Sequence, residues 1–205
     1  QDAKKMYGEL SDAGYDATLL VYDFKIHEYS SIYDHLPDLF RFFARHALQP
    51  NPAIVSFVRP AGQDKPELGL VYDHAYWLSG IKAADTKSNA QVTATSSAIR
   101  HADPDPARAE RTTQVVFDPD APSKRSIGEL YSTTPARGPL LPRANKLSIA
   151  ASNLGEVTVD AARARLRLRG LRIASSSDKP YTLVLRSGKT VRRIQIAAGD
   201  QSRTL

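Results

Sequence analysis

Short runs rich in β-branched and aromatic residues, each closed by Pro, Gly, Asn or Asp, fill most of the chain after residue 52 and narrow what it can fold into. They read IVSFVRP, GLVYDHAYWLSGI and AQVTATSSAI, then NKLSIAAS, GEVTVDA, ARLRLRGLRIA, PYTLVLRSG and KTVRRIQIAA. Turn signals every 8–12 residues or so mark a sandwich or barrel-like β module. The stretch YTLVLRSGKTVRRIQI, with Ser187-Gly188 at its centre, reads as a hairpin. Between His101 and Arg143 the strand signals fade and prolines recur from Pro104 to Pro142. That composition predicts a long insertion, or loops around one strand, TTQVVFD.

The first fifty residues have a different texture. Residues 2–13 place Ala3, Met6, Tyr7 and Leu10 on one helical stripe, and Gly14 follows where a left-handed cap is expected. Ala17 to Tyr22 is almost continuously apolar, as a strand covered on both faces would be, which predicts a parallel strand. Ile32, Leu36, Leu39, Phe40 and Phe43 then recur at three- and four-residue spacing between Ser30 and Ala47. Pro37 interrupts that pattern, so the stable helix is expected to start there. The order is helix, strand, loop, helix. The loop holds His27 and Glu28, and a loop at the C-terminal end of a parallel strand is where a sheet commonly presents catalytic groups.

These residues carry a resemblance. The segment AKKMYGELSDAGYDATLLVYDFKIHEYSSIYDHLPDLFRFFARHALQPNPAIVSF resembles the C-terminal end of an α/β-hydrolase superfamily serine hydrolase of the prolyl-oligopeptidase-like or esterase-like type. In that family a helix ending in "L..AGYD" leads to the last sheet strand, a short loop with the catalytic histidine, and the final helix. A weaker likeness, to a β-rich C-terminal extension with an "AYWL" strand, runs through VYDHAYWLSGI and NKLSIAASNLGEVTVD. The resemblance implies that His27 is the triad histidine, acting as general base and then general acid. In the family the nucleophile, in a G-x-S-x-G elbow, and the acidic partner come earlier in the chain than this helix. The sequence has no such motif, and Asp2 falls inside the helix rather than in a loop before it.

The expected fold is therefore an α/β fragment, the last helix-strand-helix of a hydrolase sheet over residues 1–58, followed by an all-β sandwich-like module over 59–205 with a Pro-rich insertion around 101–143. The expected function is the C-terminal portion of a serine hydrolase cleaving ester or peptide bonds, inactive by itself because only the triad histidine is retained. The alternative is a non-catalytic β-rich binding or accessory module contacting a carbohydrate, a polymer or a partner protein.

Charge and composition bound the remaining classes. Acids outnumber Lys and Arg before residue 70, so the net charge of +6 comes from the later region, in keeping with a boundary near residues 59–70. There is no cysteine, which excludes disulfides and thiolate chemistry and leaves the compartment open, a secreted or periplasmic one included. No apolar run reaches the roughly 20 residues of a membrane span. His35 and His46 read as residues of the helix surface or end, and His74 and His101 lack metal-like partners, so neither a metal nor a cofactor is expected. Asp103, Asp105, Asp118 and Asp120 match no calcium-loop spacing and read as solvated loop acids. Tyr72, Tyr76 and Trp77 suit either a binding strand or a sheet core. Arg163, Arg165, Arg167 and Arg169 alternate with Ala164, Leu166 and Leu168, which on a strand would give one guanidinium row. That row reads as a solvated outer face; nucleic acid or another polyanion is not the expected partner, since the aromatic interleaving of a single-strand platform is missing.

Overall fold

A computed structural model describes residues 2–22, 30–46, 48–102, 105–116 and 128–205. In chain order the elements are α1 (Asp2–Asp12), β1 (Ala17–Tyr22), α2 (Ser30–Arg45), β2 (Ile54–Arg59), a 3-10 turn (Pro66–Leu68), β3 (Leu78–Ala83), β4 (Ala90–Ser96), β5 (Glu110–Val116), β6 (Gly128–Thr134), β7 (Lys146–Ser152), β8 (Leu154–Asp160), β9 (Arg172–Ser177), β10 (Tyr181–Ser187), β11 (Thr190–Ile196) and β12 (Gly199–Thr204). The chain divides into two compact units, residues 1–48 with 102–140, and residues 49–101 with 141–205.

In the first unit β1, β6 and β5 form a sheet in that order, and both pairings are antiparallel. This overturns the α/β-hydrolase fold class. Ala17 pairs with Thr133 and Tyr22 with Gly128, so β1 is an antiparallel edge strand, and two helices stand against twelve strands among the described residues. The fold is β-rich. The apolar run specified a strand but not its direction; the partner, β6, comes from the Pro-rich stretch that reads as loops. Only Ala17 of β1 is buried, and the rest is half-covered or exposed. Helix α1 ends in a Schellman motif, with Tyr15 N–H on the Leu10 carbonyl (3.0 Å) and Gly14 N–H on that of Ser11 (3.0 Å). It is tied to the sheet mainly by polar groups: the Thr133 hydroxyl donates to Ser11 Oγ (2.8 Å), Tyr7 shares a hydrogen bond with Thr133 (2.9 Å), and Arg111 donates to the Ser11 carbonyl (2.8 Å). Helix α2 starts at Ser30, not at Pro37, and takes the proline internally at the loss of one backbone hydrogen bond. It leaves Leu39, Phe40 and Phe43 exposed. No helix among the described residues is long and apolar enough to cross a membrane.

The second unit is a two-layer sandwich, a five-stranded sheet β12-β9-β7-β4-β2 and a four-stranded sheet β11-β10-β8-β3. Alternate residues of both sheets enter one core: Val92, Leu147, Ile149 and Ile173 from the first meet Ile81, Val157, Leu183 and Ile194 from the second. Burying each such side chain contributes about 1.5–3 kcal/mol. Trp77 is almost wholly buried and donates its indole N–H to the Pro52 carbonyl (2.7 Å). The hairpin β10–β11 closes through Gly188 and Lys189, with Gly188 at φ 56 in the first loop position, where a two-residue turn of type II′ needs a residue without Cβ.

From β7 to β10 the chain changes sheet at every step, so that β7 pairs parallel with β9 and β8 with β10. One residue, Asn153, separates β7 from β8, and it turns the corner at φ 51. Asn is among the few residues that tolerate this left-handed region. Its amide donates to the carbonyls of Asp85 (2.8 Å), Ser88 (3.0 Å) and Asn89 (3.3 Å), and its Oδ1 accepts from Asp85 N–H (2.8 Å) and Lys179 Nζ (3.1 Å). Its backbone N–H is held by Asp178 Oδ1 (2.8 Å). The three connections 84–89, 153 and 178–180, which all cross between the sheets, are thus joined at one side chain.

Two outcomes are expected. Asn153→Ala should lower the stability of the sandwich by about 3 kcal/mol, because it removes the amide that bonds the carbonyls of Asp85, Ser88 and Asn89 and puts a Cβ without local hydrogen bonding at positive φ; Asn153→Gly should cost about 1 kcal/mol less, as read by chemical denaturation. A Cβ at Gly128 would collide with the Val21 carbonyl. Gly128→Ala should therefore free the amides of β1, β5 and β6 to rapid hydrogen exchange while those of β7, β8 and β10 stay protected.

Candidate functional site

His27 and Glu28, the residues the hydrolase resemblance singles out, lie outside the described residues. His35 contacts the Tyr22 hydroxyl through Nε2 and lies 3.3 Å from Asp38 through Nδ1. His46 stacks on Phe42, hydrogen-bonds that residue's carbonyl through Nδ1 (2.7 Å) and lies 3.0 Å from Asp16, closing the end of α2. His74 pairs with its neighbour Asp73 (3.0 Å) and His101 with the Ile99 carbonyl (3.0 Å). Asp105 receives the Ala107 N–H (3.2 Å) and pairs with Arg108 (3.3 Å), a local turn, while Asp103, Asp118 and Asp120 are outside the described residues. Trp77 is a core residue, whereas Tyr72 and Tyr76 are exposed.

The arginine row takes a form that alternation alone does not predict. Residues 161–170 are a turn and a loop between β8 and β9, not a strand. Leu166 N–H reaches the Ala161 carbonyl (2.7 Å) and Arg165 N–H that of Ala162 (3.0 Å), the two bonds of a Schellman motif. Ala161, Ala164, Leu166 and Leu171 are drawn into the core, and the arginines between them are left at the surface. A buried-exposed alternation therefore arises here from a helical turn and its cap, which is why the run reads as a strand.

The four arginines then separate by role. Arg163 is a structural clamp: its guanidinium donates to Asn51 Oδ1 (3.0 Å) and to the carbonyls of Pro50 (3.1 Å) and Tyr76, the last held at φ 54. Arg165 and Arg167 line a cleft of about 400 Å³ together with Arg143, Ala98, Ala144 and Asn145. The walls are fixed by hydrogen bonds. Asn145 accepts from Arg167 N–H (2.9 Å) and donates to the carbonyls of Arg167 (2.9 Å) and Arg169 (3.3 Å). Ala144 N–H bonds the Ser97 carbonyl (3.0 Å), and Ser97 N–H that of Lys146 (3.0 Å).

No carboxylate among the described residues lines this cleft. Among the described residues, no ion pair involves Arg143, Arg165, Arg167, Arg169, Lys146 or Arg172. Residues 141–205 hold thirteen Lys and Arg against four Asp and Glu, so the acids that could neutralise the cleft are few. Three of the four are engaged elsewhere: Glu156 by Lys82 (2.8 Å) and Arg193 (2.9 Å), Asp178 by the Asn153 N–H (2.8 Å) and Ser152 (3.0 Å), and Asp160 by the Arg163 N–H (3.0 Å). A concave surface with three guanidiniums and no counter-charge among the described residues attracts anions, and the planar fork of each matches a carboxylate, sulfate or phosphate.

Comparison with protein-family models, curated proteins and solved structures found no match. The hydrolase resemblance thus gains no support and meets no opposition from relatives.

The sandwich also carries a pH signature. The Tyr72 N–H and Arg59 hold Asp64 below its ordinary value of 3.8, Lys82 and Arg193 hold Glu156 below 4.5, and the Asn153 N–H and Ser152 hold Asp178 below 3.8. Carboxylates depressed in the folded state stabilise it above those ordinary values, and the contribution disappears as pH falls through the lower folded ones. The unfolding midpoint should be flat near neutrality and fall on acidification below about pH 4.5. Glu156→Gln should flatten the upper part of that fall in a thermal titration.

Proposed function

We propose that this chain is a non-catalytic binding module whose β-sandwich receives an acidic group of a larger ligand between Arg143, Arg165 and Arg167. The reading rests on the backbone of Arg165. This residue occupies the left-handed position of the Schellman motif, at φ 56, where glycine is the favoured occupant. A Cβ at that conformation costs roughly 1–2 kcal/mol, and the side chain lies beside two other cations with no acid among the described residues of the cleft. Local strain and uncompensated like charge at one surface position are features of a functional site rather than of a stabilising one. An incoming anion would offset the repulsion, and the loop, anchored through Asn145, needs little reordering to receive it.

Arg165→Gly separates function from stability. It should raise the unfolding midpoint by about 3 °C, through relief of the left-handed strain and of repulsion, and weaken retention on heparin and on polygalacturonate. Arg143→Ser and Arg167→Ser should weaken retention without that gain, and added NaCl should release the unsubstituted protein. Neutral dextran, carrying no charge, should not retain it. Unchanged retention by the triple variant would rule out the cleft as the binding site.

A further inference from the structure

We infer that the ligand is a linear acidic polysaccharide, which seats one charged unit in the arginine cleft and continues along a second set of cations, Arg169, Lys146 and Arg172; the inference rests on the binding-module reading above. Lys146 and Arg172 are register partners at the start of the parallel pair β7–β9, on strands about 4.8 Å apart. Their sequence neighbours Leu147 and Ile173 are buried in the core at 0% and 2% exposure, so both cations sit on the outer face of the five-stranded sheet. The cleft adjoins them through the chain itself: Asn145 lines the cleft, immediately precedes Lys146, and accepts Arg172 N–H on its carbonyl (3.0 Å). Arg169 is exposed, and its carbonyl is held by the same Asn145 side chain.

The cations therefore occupy two adjoining surfaces, a recess and an open sheet face. One small anion placed in the recess would not neutralise the row outside it, whereas a chain carrying charges at intervals would meet both. The surface beyond the row favours sugar over single-stranded nucleic acid. The outward positions of β4, β7 and β9 carry Thr93, Thr95, Ser148, Ala150, Ala174 and Ser176 among others, and none is aromatic. Hydroxyls and small side chains suit a hydroxyl-bearing chain lying flat, while bases of a single strand would find no ring to stack on.

The test is calorimetric titration of the full chain with heparin-derived and oligogalacturonate di-, tetra- and octasaccharides, which distinguish sulfate from carboxylate, alongside a short duplex DNA. Affinity should rise by roughly tenfold or more from disaccharide to octasaccharide as the second set of cations is engaged. Lys146→Ser with Arg172→Ser, both surface changes checked by an unaltered unfolding midpoint, should abolish that rise and leave disaccharide affinity in place. Arg165→Gly with Arg167→Ser should weaken every length. Binding that depends on the cleft but not on chain length would overturn the polymer inference and leave the cleft reading standing, as would tighter binding of duplex DNA than of either octasaccharide. Binding insensitive to the cleft variants, or none to any acidic saccharide or to DNA, would overturn both.

Discussion

The side chain of Asn153 is the constraint on which the sandwich most depends. A strand that leaves one sheet and enters the other after a single residue needs a sharp corner, a left-handed backbone and partners for the peptide groups that lose their ladder at that point. Asn153 supplies all three, and its amide group also ties down the two other connections that cross between the sheets at the same end. With that corner in place, β7 and β9 become parallel neighbours in one sheet and β8 and β10 in the other. The core cluster follows from that alternation, because successive strands face each other across it.

Asn145 does comparable work at the opposite end of β7, where the amide spans the crossing from β8 to β9. There the consequence bears on the proposed binding site as well as on the fold. The connection is pulled inward at Ala161, Ala164, Leu166 and Leu171 and clamped by Arg163, so the remaining arginines cannot fold away from solvent or spread apart. Stability alone would favour glycine at residue 165 and an acid beside it. The sandwich carries an arginine at φ 56 and, among the described residues, no acid in the cleft, and a large, well-filled core is what lets it sustain that local cost.

The two units differ in how they are held. Among the described residues, every large fully buried side chain belongs to the sandwich, from Trp77 to Leu185, whereas the first unit is held by the Ser11–Thr133–Tyr7 hydrogen bonds and by Ala17. Hydrogen bonds to neighbouring hydroxyls contribute about 1 kcal/mol each, less than the burial of one leucine. Much of this was legible beforehand in particular residues. Gly14 marked the end of α1, Gly188 the β10–β11 turn, and the β-branched runs the strands of the sandwich, since each of these signals acts within a few residues of itself. Strand β6 was not legible: GELYSTT is short and lies among prolines, and only its pairing with β1 and β5 gives it a strand's hydrogen bonds.

What the sequence determined by itself, then, was many of the local conformations, among them most strands and turns of the sandwich, and that the excess positive charge lies late in the chain. Tertiary structure decided the rest. An apolar run such as Ala17–Tyr22 stabilises a strand whichever way its partner runs, so the antiparallel pairing that overturns the hydrolase sheet depended on residues more than a hundred positions away. Alternation between Arg163 and Arg169 fits a strand and a capped turn equally well, because both place every second side chain inward over so short a span. Only the hydrogen bonds of Asn145 and the pull of the core made it a cleft.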